Sequence, residues 1–261
     1  MSIDLEKELA KIKGNSAQVK LAKAGIAWSQ AYRELYGVVQ PETTSSKKAT
    51  SENPLAKIIQ EYKTQPHTPE LVASFMQNFI RVKIEESGAE ISIPTISVCD
   101  RTPVELAALK AAGRGMVYNP GLKYSELGRI FPKMQSYSAR EDSSVTDEYE
   151  RVGWVDIEMT VDAPNINTTE QDLIDLFGTQ EKNGQRLSTY IWGSQISKEL
   201  TDKYFDQGST YARLLGSRRG GRVVHAYFYS RGLLRVYWDL KSDSHDPHLG
   251  GRSEGAKSST L

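Results

Sequence analysis

A polar stretch of fourteen residues, 40–53 (QPETTSSKKATSEN), divides this 261-residue chain into two unequal parts. Its only apolar residue is Ala49, so the stretch cannot offset the entropy of ordering by burying side chains. We predict a flexible linker over residues 37–53, which separates a helical N-terminal arm, residues 1–36, from a globular body, residues 54–241. Within the arm, leucine, isoleucine and valine recur among lysines and glutamates, a pattern typical of amphipathic helices.

The composition excludes several classes of protein. Cys99 is the only cysteine, which rules out an intramolecular disulfide framework and a cysteine-rich zinc or iron–sulfur site. No run approaches the roughly 18 apolar residues of a membrane span, and residues 1–10 lack the pattern of a secretion signal. Since 38% of the residues are hydrophobic and 25% are charged, we expect a folded cytoplasmic protein with no membrane partner.

Local signals predict where the helices begin. Thr68 precedes Pro69 and Thr102 precedes Pro103, the order of an N-cap followed by a proline in the first turn. A further helix is predicted after Thr168 and Thr169, because an acidic turn and an apolar stripe follow them. The remaining predicted helices run from Pro54 to Tyr62, from Tyr124 to Ile130, and over residues 187–216 as two helices with breaks near Gly193 and Gly208.

Strand signals are fewer than helix signals. Alternation of apolar and polar residues predicts strands over 90–98 and 154–161, and a hairpin over 222–240 that turns at residues 230–232. Residues 242–261 are polar and rich in glycine, serine and histidine, and we predict that they form a disordered C-terminal tail. The expected fold class is therefore helix-rich α+β, with a helical N-terminal arm, a helical body with a few short strands, and a C-terminal β-hairpin.

The net charge of zero hides two oppositely charged segments. Residues 141–175 carry eleven acids and one base, a balance of −10, whereas residues 213–241 carry seven bases and one acid, a balance of +6. Two interpretations of the acidic segment remain open. In the first, it is a solvated loop followed by the solvent-exposed face of a strand, which carries Asp156, Glu158 and Asp162. In the second, it receives the basic hairpin of a neighbouring copy, a head-to-tail contact that builds rings or filaments.

The basic segment combines arginine, glycine and aromatic residues. Glycines let the backbone approach an anion, the planar guanidinium of arginine suits phosphate, and rings on a hairpin can stack on bases. Because successive strand residues face opposite sides, only about half of the rings can be exposed. The candidate nucleic-acid-binding residues are Arg213, Arg218, Arg219, Arg222, Tyr227, Tyr229, Arg231 and Arg235. The alternatives are a core hairpin with a flexible arginine loop bound to acids elsewhere, and an anion or small-molecule site.

No constellation of residues points to catalysis. Of the four histidines, His67 precedes a helix cap, His225 lies in a strand pattern, and His245 and His248 lie in the predicted tail. No Gly-Lys-Ser/Thr phosphate loop is present, and the sequence Gly113-Arg114-Gly115 lacks the further glycine of a dinucleotide loop. We assign no catalytic residue, no metal ligand and no cofactor, and we expect a protein that is not an enzyme.

Residues 111–131 (AAGRGMVYNPGLKYSELGRIF), with Pro132, are similar to the central helix-turn-helix of nucleoproteins from segmented negative-strand plant RNA viruses of the tenuivirus and phenuivirus type. The shared feature is a short helix ending in a Leu-Gly-Arg-hydrophobic-Phe-Pro string. This resemblance covers about 22 of 261 residues. It implies a genome-coating protein of an RNA virus, located in the virion and the host cytoplasm, with a mobile N-terminal arm that reaches a neighbour. Those nucleoproteins are essentially all helical, whereas strands are predicted here around Trp154 and after Arg222, so no binding residue is transferred.

These observations together predict a self-assembling coat or nucleocapsid subunit that packages single-stranded genomic RNA through phosphate contacts. Its expected partners are single-stranded RNA and further copies of the chain, in a homo-oligomer or filament joined by the arm. One alternative is a non-catalytic adaptor or scaffold, in which the arm and the hairpin bind other proteins. A second alternative is an enzyme of a type that the sequence does not reveal.

Overall fold

The computed structural model of the chain describes residues 54–92, 95–134, 144–149 and 152–255. The predicted helical arm, residues 1–36, and the predicted linker, residues 37–53, lie outside the described residues. Contacts between Cα atoms divide the chain after Thr50, and all described residues belong to the second unit, Ser51–Leu261.

Six helices are present in the described residues, and the predicted caps begin three of them. The Thr68 side chain accepts a hydrogen bond from the Leu71 amide, and Thr102 and Glu105 form a reciprocal capping box. Each cap satisfies backbone amides that the first helical turn leaves without a partner. The helices are α1 (Pro54–Thr64), α2 (Pro69–Ser87), α3 (Pro103–Ala111), α4 (Tyr124–Ile130), α5 (Glu170–Thr179) and α6 (Leu187–Thr201).

The strands form two sheets, which confirms the mixed α+β fold class. The first sheet has the order β1-β3-β9-β4, and all its neighbouring strands are antiparallel. It contains β1 (Arg114–Asn119), β3 (Gly153–Glu158), β4 (Asn183–Gly184) and β9 (Ser253–Gly255). The second sheet has the antiparallel order β2-β5-β6-β7, and β8 pairs parallel with β5. It contains β2 (Thr146–Asp147), β5 (Tyr211–Arg219), β6 (Arg222–Phe228), β7 (Leu234–Tyr237) and β8 (Leu249–Gly251).

Aromatic side chains from several elements form the centre of the core. Trp192 of α6 is fully buried and meets the Phe131 ring edge to face at a centroid distance of 5.2 Å. Phe79 of α2 approaches the same indole at 6.4 Å. Edge-to-face ring pairs add to the stabilisation that burial itself provides. α2 and α6 are thereby joined to the segment that follows α4.

The C-terminal residues differ from the predicted disordered tail. Residues 249–255 form β8 in the second sheet and β9 in the first, and Arg252 between them is fully buried. The glycines that suggested mobility are needed for packing instead, since a Cβ on Gly251 would lie 2.2 Å from a methyl group of Leu173. The folded body therefore extends beyond residue 241 to Gly255. Residues 256–261 of the predicted tail lie outside the described residues.

Two further predicted elements differ from the structure. Residues 187–216 were expected to form two helices, but α6 passes through Gly193 and ends at Thr201, and Tyr211–Arg219 is strand β5. Gly193 packs against the Phe205 ring, so it serves close packing and does not break the helix. The described residues of 90–98 adopt no strand, and the Ile96 amide donates to the Gln77 side chain of α2 instead.

The segment that carries the viral resemblance spans the end of α3, strand β1 and α4. Residues 114–119 form the strand β1, which pairs along its full length with β3. A helix-turn-helix is the structure implied by the resemblance for this region, and the strand lies where its turn would be. The predicted short helix over Tyr124–Ile130 is present as α4.

Candidate nucleic-acid interface

The basic segment begins with a hairpin closed by a tight turn, in place of the flexible arginine loop that the sequence suggested. β5 extends to Arg219 and β6 begins at Arg222, and these two residues pair across the hairpin. The connecting residues Gly220 and Gly221 have φ angles of 55° and 79°. A two-residue hairpin turn of this kind needs positive φ at both positions, which glycine adopts without strain. The glycines therefore shape the turn, and Arg218 stands on a strand.

The predicted alternation along β6 is confirmed by what its residues pack against. The main core holds Val224, Ala226 and Phe228. Val223 faces the other side and packs in a small cluster with Leu173 and Phe177 of α5. His225 and Tyr227 share this second side with Val223 because strand residues two apart face the same way. We name this second side the outer face of the second sheet. Tyr227, a ring predicted to stack on bases, lies on it.

Arg213 lies on the outer face of β5 but is covered by protein. It is 1% exposed and donates hydrogen bonds to the carbonyl oxygens of Ser242, at 3.2 Å, and Ser244, at 3.3 Å. The segment after β7 therefore folds back over this arginine. Burial lowers the pKa of the Arg213 guanidinium. Because a phosphate would have to displace this segment to reach it, we leave Arg213 out of the proposed interface.

Arg218 joins the basic segment to the acidic one within a single chain. Its guanidinium forms ion pairs with Glu148, next to β2, and with Glu170 in the first turn of α5. Burial disfavours the charged guanidinium, but the two carboxylates outweigh burial and raise the pKa of Arg218. The opposite charges thus neutralise each other inside the molecule. The charge imbalance of the two segments is therefore a weaker reason to expect a head-to-tail contact between copies.

Arg219 stacks on an aromatic ring beside the hairpin turn. Its guanidinium carbon lies 3.6 Å from the centroid of the Trp238 ring, and its Nε donates to the Ser144 hydroxyl at 2.5 Å. A guanidinium over an indole face is held by the electrostatic field of the ring as well as by dispersion. The orientation of this arginine is therefore fixed by protein contacts.

Tyr227, Tyr229 and Arg235 form the open part of the outer face, which we name the tyrosine–arginine face. The two tyrosine rings meet edge to face with centroids 5.2 Å apart, and their hydroxyl oxygens are 3.0 Å apart. This hydrogen bond raises the pKa of Tyr227 and lowers the pKa of Tyr229. Arg235 pairs opposite Tyr227 on β7, and its interaction with the hydroxyls, that of Tyr229 first, raises the pKa of its guanidinium. Tyr229 is 42% exposed.

Of the two remaining predicted arginines, only Arg231 adjoins the tyrosine–arginine face. Arg222 begins β6 and Arg231 lies in the turn between β6 and β7, and both are exposed. Arg222 lies two residues before Val224 and therefore shares the core side of β6, opposite to Tyr227. The predicted residues on this side therefore form one strip of the half-buried Tyr227 with the exposed Tyr229, Arg231 and Arg235.

A buried histidine lies beside the covered part of the outer face. His225 is 2% exposed, stacks on Tyr237 at a centroid distance of 5.5 Å, and pairs opposite Arg213. Neither ring nitrogen makes a hydrogen bond of standard geometry, and a weak contact with the Tyr237 backbone only partly opposes the effect of burial. Burial and the charge of Arg213 lower the pKa of His225 to about 4. The imidazole is therefore neutral at pH 7.

The sequence prediction omitted two tyrosines that adjoin the tyrosine–arginine face. Tyr237 of β7 lies 6.2 Å from Tyr227 and 6.1 Å from Tyr211, measured between ring centroids. Tyr211 in turn donates a hydrogen bond to Asp246. Alternation along β7 puts Tyr237 and Arg235 on one side, so the sequence did contain a signal for Tyr237. Tyr211 had no such signal, because its region was predicted to be helical.

The acidic residues of β3 do not form the solvent-exposed face that the alternation of apolar and acidic residues predicted. Asp156 is 4% exposed and pairs with the Arg114 side chain of β1 at 2.5 Å. Glu158 pairs with the same guanidinium and accepts a hydrogen bond from the Ser253 amide of β9. Asp162 does remain exposed. Asp156 and Glu158 thus tie together neighbouring strands of the first sheet.

The histidines of the predicted tail are attached to the folded body. The Nδ1 atom of His245 lies 3.0 Å from the Asn167 carbonyl oxygen, and that of His248 lies 3.1 Å from the Ser209 carbonyl oxygen. Across residues 54–92, 95–134, 144–149 and 152–255, no cluster of three or more potential ligands is arranged to hold a metal ion. No helix in these same ranges has the length and apolar character needed to cross a membrane.

Comparison of this chain with protein-family models, with curated proteins and with solved structures finds no match. The functional conclusion therefore depends on the chemistry of the exposed side chains.

Proposed function

We propose that this chain binds single-stranded RNA through the tyrosine–arginine face and acts as a coat or nucleocapsid subunit. The observation that carries the proposal is the Tyr227–Tyr229 pair beside Arg235, in which Tyr229 and Arg235 are exposed and Tyr227 is half-buried. Aromatic rings on a sheet surface stack on bases regardless of sequence, and arginines beside them contact phosphates. The exposed Arg231, in the turn after β6, supplies a further contact of this kind.

The arrangement favours binding without sequence preference. Phosphate contacts fix the position of a nucleic acid but read no bases, and stacking accepts any base. The polar hydroxyls of Tyr227 and Tyr229 are already engaged with each other and with Arg235, which leaves the rings to make the contact. A protein that coats a genome needs binding of this kind, because it must cover every sequence equally.

The same face also suits a protein partner, as required by the adaptor alternative. Tyrosine and arginine are enriched among the residues that dominate protein–protein binding energy. The two functions differ in their dependence on salt. RNA binding releases counterions and weakens linearly with the logarithm of salt concentration, whereas stacking of a peptide on the tyrosines depends little on salt.

Fluorescence anisotropy of the full chain with a labelled oligouridine tests the proposal. If Arg231 and Arg235 each neutralise one phosphate, the affinity falls with log salt at a slope of about −1.4. The double substitution Arg231→Gln with Arg235→Gln should flatten that slope by about 1.4. Replacing Tyr229 by alanine should weaken binding by about tenfold and leave the slope unchanged, because stacking carries no charge.

Two matched substitutions serve as controls. Arg81→Gln removes an exposed arginine of α2, outside the second sheet, and should change neither affinity nor slope. Arg218→Gln removes an arginine of the basic segment that is already paired with Glu148 and Glu170, so the slope should again stay the same. The proposal is wrong if the full chain fails to bind oligouridine at low salt, or if Arg81→Gln weakens binding as much as the Arg231 and Arg235 pair does.

A further inference from the structure

A pocket of about 330 Å³ lies between α1, α3 and β1, and no residue of the tyrosine–arginine face lines it. Its apolar lining comes from Tyr62, Met159 and Leu200. The half-buried Gly113 and Gly115 of the β1 region complete the wall. Pockets that hold small molecules start near 300 Å³ and combine a mainly apolar lining with a few polar groups. The pocket therefore has the size and character of a site for a compact ligand.

The lysine, arginine and histidine side chains of this pocket have no acidic counterpart among the described residues of its lining, which also include Thr160 with its hydroxyl group. Lys63, His67, Lys110 and Arg114 line it, and the lining within the described residues includes no aspartate or glutamate. Arg114 is engaged by Asp156 and Glu158 of β3, so its charge is already balanced. Lys63 and Lys110 are exposed at the surface and carry the charge that remains. A ligand that complements this pocket is an anion.

The ring of His67 gives the pocket a flat wall. It stacks on Tyr62 at a centroid distance of 4.2 Å, and Tyr62 stacks in turn on Phe75 at 4.1 Å. The Nε2 atom of His67 lies 2.9 Å from the Tyr62 carbonyl oxygen, which can only accept, so Nε2 carries the proton. The Lys110 ammonium, 3.5 Å from the same nitrogen, therefore gains no acceptor there. Burial and this ammonium lower the pKa of His67.

From these observations we infer that the pocket binds an aromatic phosphate monoester of about the size of a nucleoside monophosphate. The phosphate contacts Lys63 and Lys110, and the aromatic body lies against the Tyr62–His67 stack and Met159. Lysine binds phosphate as a point charge, and a thioether favours contact with an aromatic ring. This inference is independent of RNA binding by the tyrosine–arginine face, because the two sites share no residue.

Isothermal titration calorimetry of the full chain with adenosine 5′-monophosphate, adenosine and inorganic phosphate tests the inference. The monophosphate should bind at least about tenfold more tightly than either fragment, because only it engages both parts of the pocket. The double substitution Lys63→Gln with Lys110→Gln should weaken monophosphate binding by about tenfold or more, since two charge-assisted contacts are lost. Lys57→Gln, in an exposed lysine of α1 that does not line the pocket, is the matched control.

Three results would overturn the inference. If adenosine binds as tightly as its monophosphate, the lysines do not recognise phosphate. If inorganic phosphate binds as tightly, the pocket holds only an ion. If the monophosphate shows no binding at millimolar concentration while thermal unfolding shows every variant folded, the pocket is not a ligand site. Tyr229→Ala should leave monophosphate affinity unchanged, which separates failure of this inference from failure of RNA binding.

Discussion

Among the residues that the structure describes, most buried charged side chains have an opposite charge within hydrogen-bonding distance. Arg186 and Glu254 pair at 2.7 Å, and Arg252 and Asp206 pair at 3.0 Å, with all four residues 2% exposed or less. A buried charge is costly unless it is paired, so these arginines need their carboxylates. His225 is the contrast, since burial disfavours its protonation and the residue opposite it on the neighbouring strand is the positively charged Arg213. The folded protein must keep this imidazole neutral.

His225 should make the protein lose stability in acid. The unfolded chain binds a proton near the ordinary histidine pKa of 6.5, whereas the folded chain resists protonation down to about pH 4. The free energy of unfolding therefore carries no penalty from His225 above pH 6.5, and it decreases as the pH falls toward 4. The loss is roughly 2–4 kcal/mol. Urea unfolding at pH 7 and at pH 4 measures this loss in the wild type and in His225→Phe. Between the two pH values, the free energy of unfolding of the wild type should fall by about this amount more than that of His225→Phe.

Phenylalanine keeps a ring to stack on Tyr237 but has no proton to bind, so the difference between the two proteins isolates the histidine. His245→Gln removes an exposed imidazole and is the control. Parallel loss of stability in the wild type and in His225→Phe would contradict the interpretation.

At the scale of secondary-structure elements, the two sheets are joined where β4 and the start of α6 cross β5. The Gly216 amide donates to the Gln185 carbonyl oxygen, and the Gln185 amide donates to the Arg252 carbonyl oxygen. β5 contains an irregularity between Leu214 and Arg218, which changes its pairing with β6. Gly216 lies inside that irregularity. The backbones approach closely there because this residue has no side chain.

Gly216→Ala should destabilise the protein. The added Cβ would lie 2.5 Å from the Gly184 carbonyl oxygen and 3.0 Å from the Arg186 amide nitrogen, and backbone atoms cannot move aside as a flexible side chain can. Overpacking of this kind costs about 1–3 kcal/mol. Gly178→Ala in α5 is the matched control, because nothing lies within 4 Å of the added Cβ, and it should leave stability unchanged or raise it by up to about 1 kcal/mol. Equal thermal midpoints for both variants would refute the proposed close contact.

At the scale of the whole molecule, the last strands connect the two sheets. β8 pairs with β5 and β9 pairs with β3 and β4, with Arg252 at the point where the chain passes from one sheet to the other. Arg252 and Glu254 also supply the partners of Asp206 and Arg186. The C-terminal segment therefore contributes strands to both sheets and charges to two buried pairs.

A chain that ends at His248 should fail to fold cooperatively. It lacks both strands and leaves Asp206 and Arg186 buried without their partners, and breaking one buried pair already costs about 3–5 kcal/mol. A chain that ends at Gly255 retains all of these contacts and is the control. Circular dichroism during thermal unfolding should show a single sharp transition for the control and none for the shorter chain. A cooperative transition in the shorter chain would mean that the two sheets are stable without β8 and β9.

The sequence by itself determined the elements whose signals are local. Thr68 and Thr102 cap their helices through contacts three residues away, and alternation along 222–228 separates the core side of β6 from its outer face without reference to any other segment. The sequence likewise indicated the arginines and tyrosines of the candidate interface as a set.

Only the tertiary structure decided which members of that set reach solvent. Arg213 is covered by residues 242–244 and Arg218 meets Glu148, a partner 70 positions away in the chain. The same reason explains the C-terminal strands, since Arg252 is balanced by Asp206, 46 positions away. Burial of a charge or of a glycine-rich strand depends on distant residues brought together by folding, and neither composition nor periodicity within a segment contains that information.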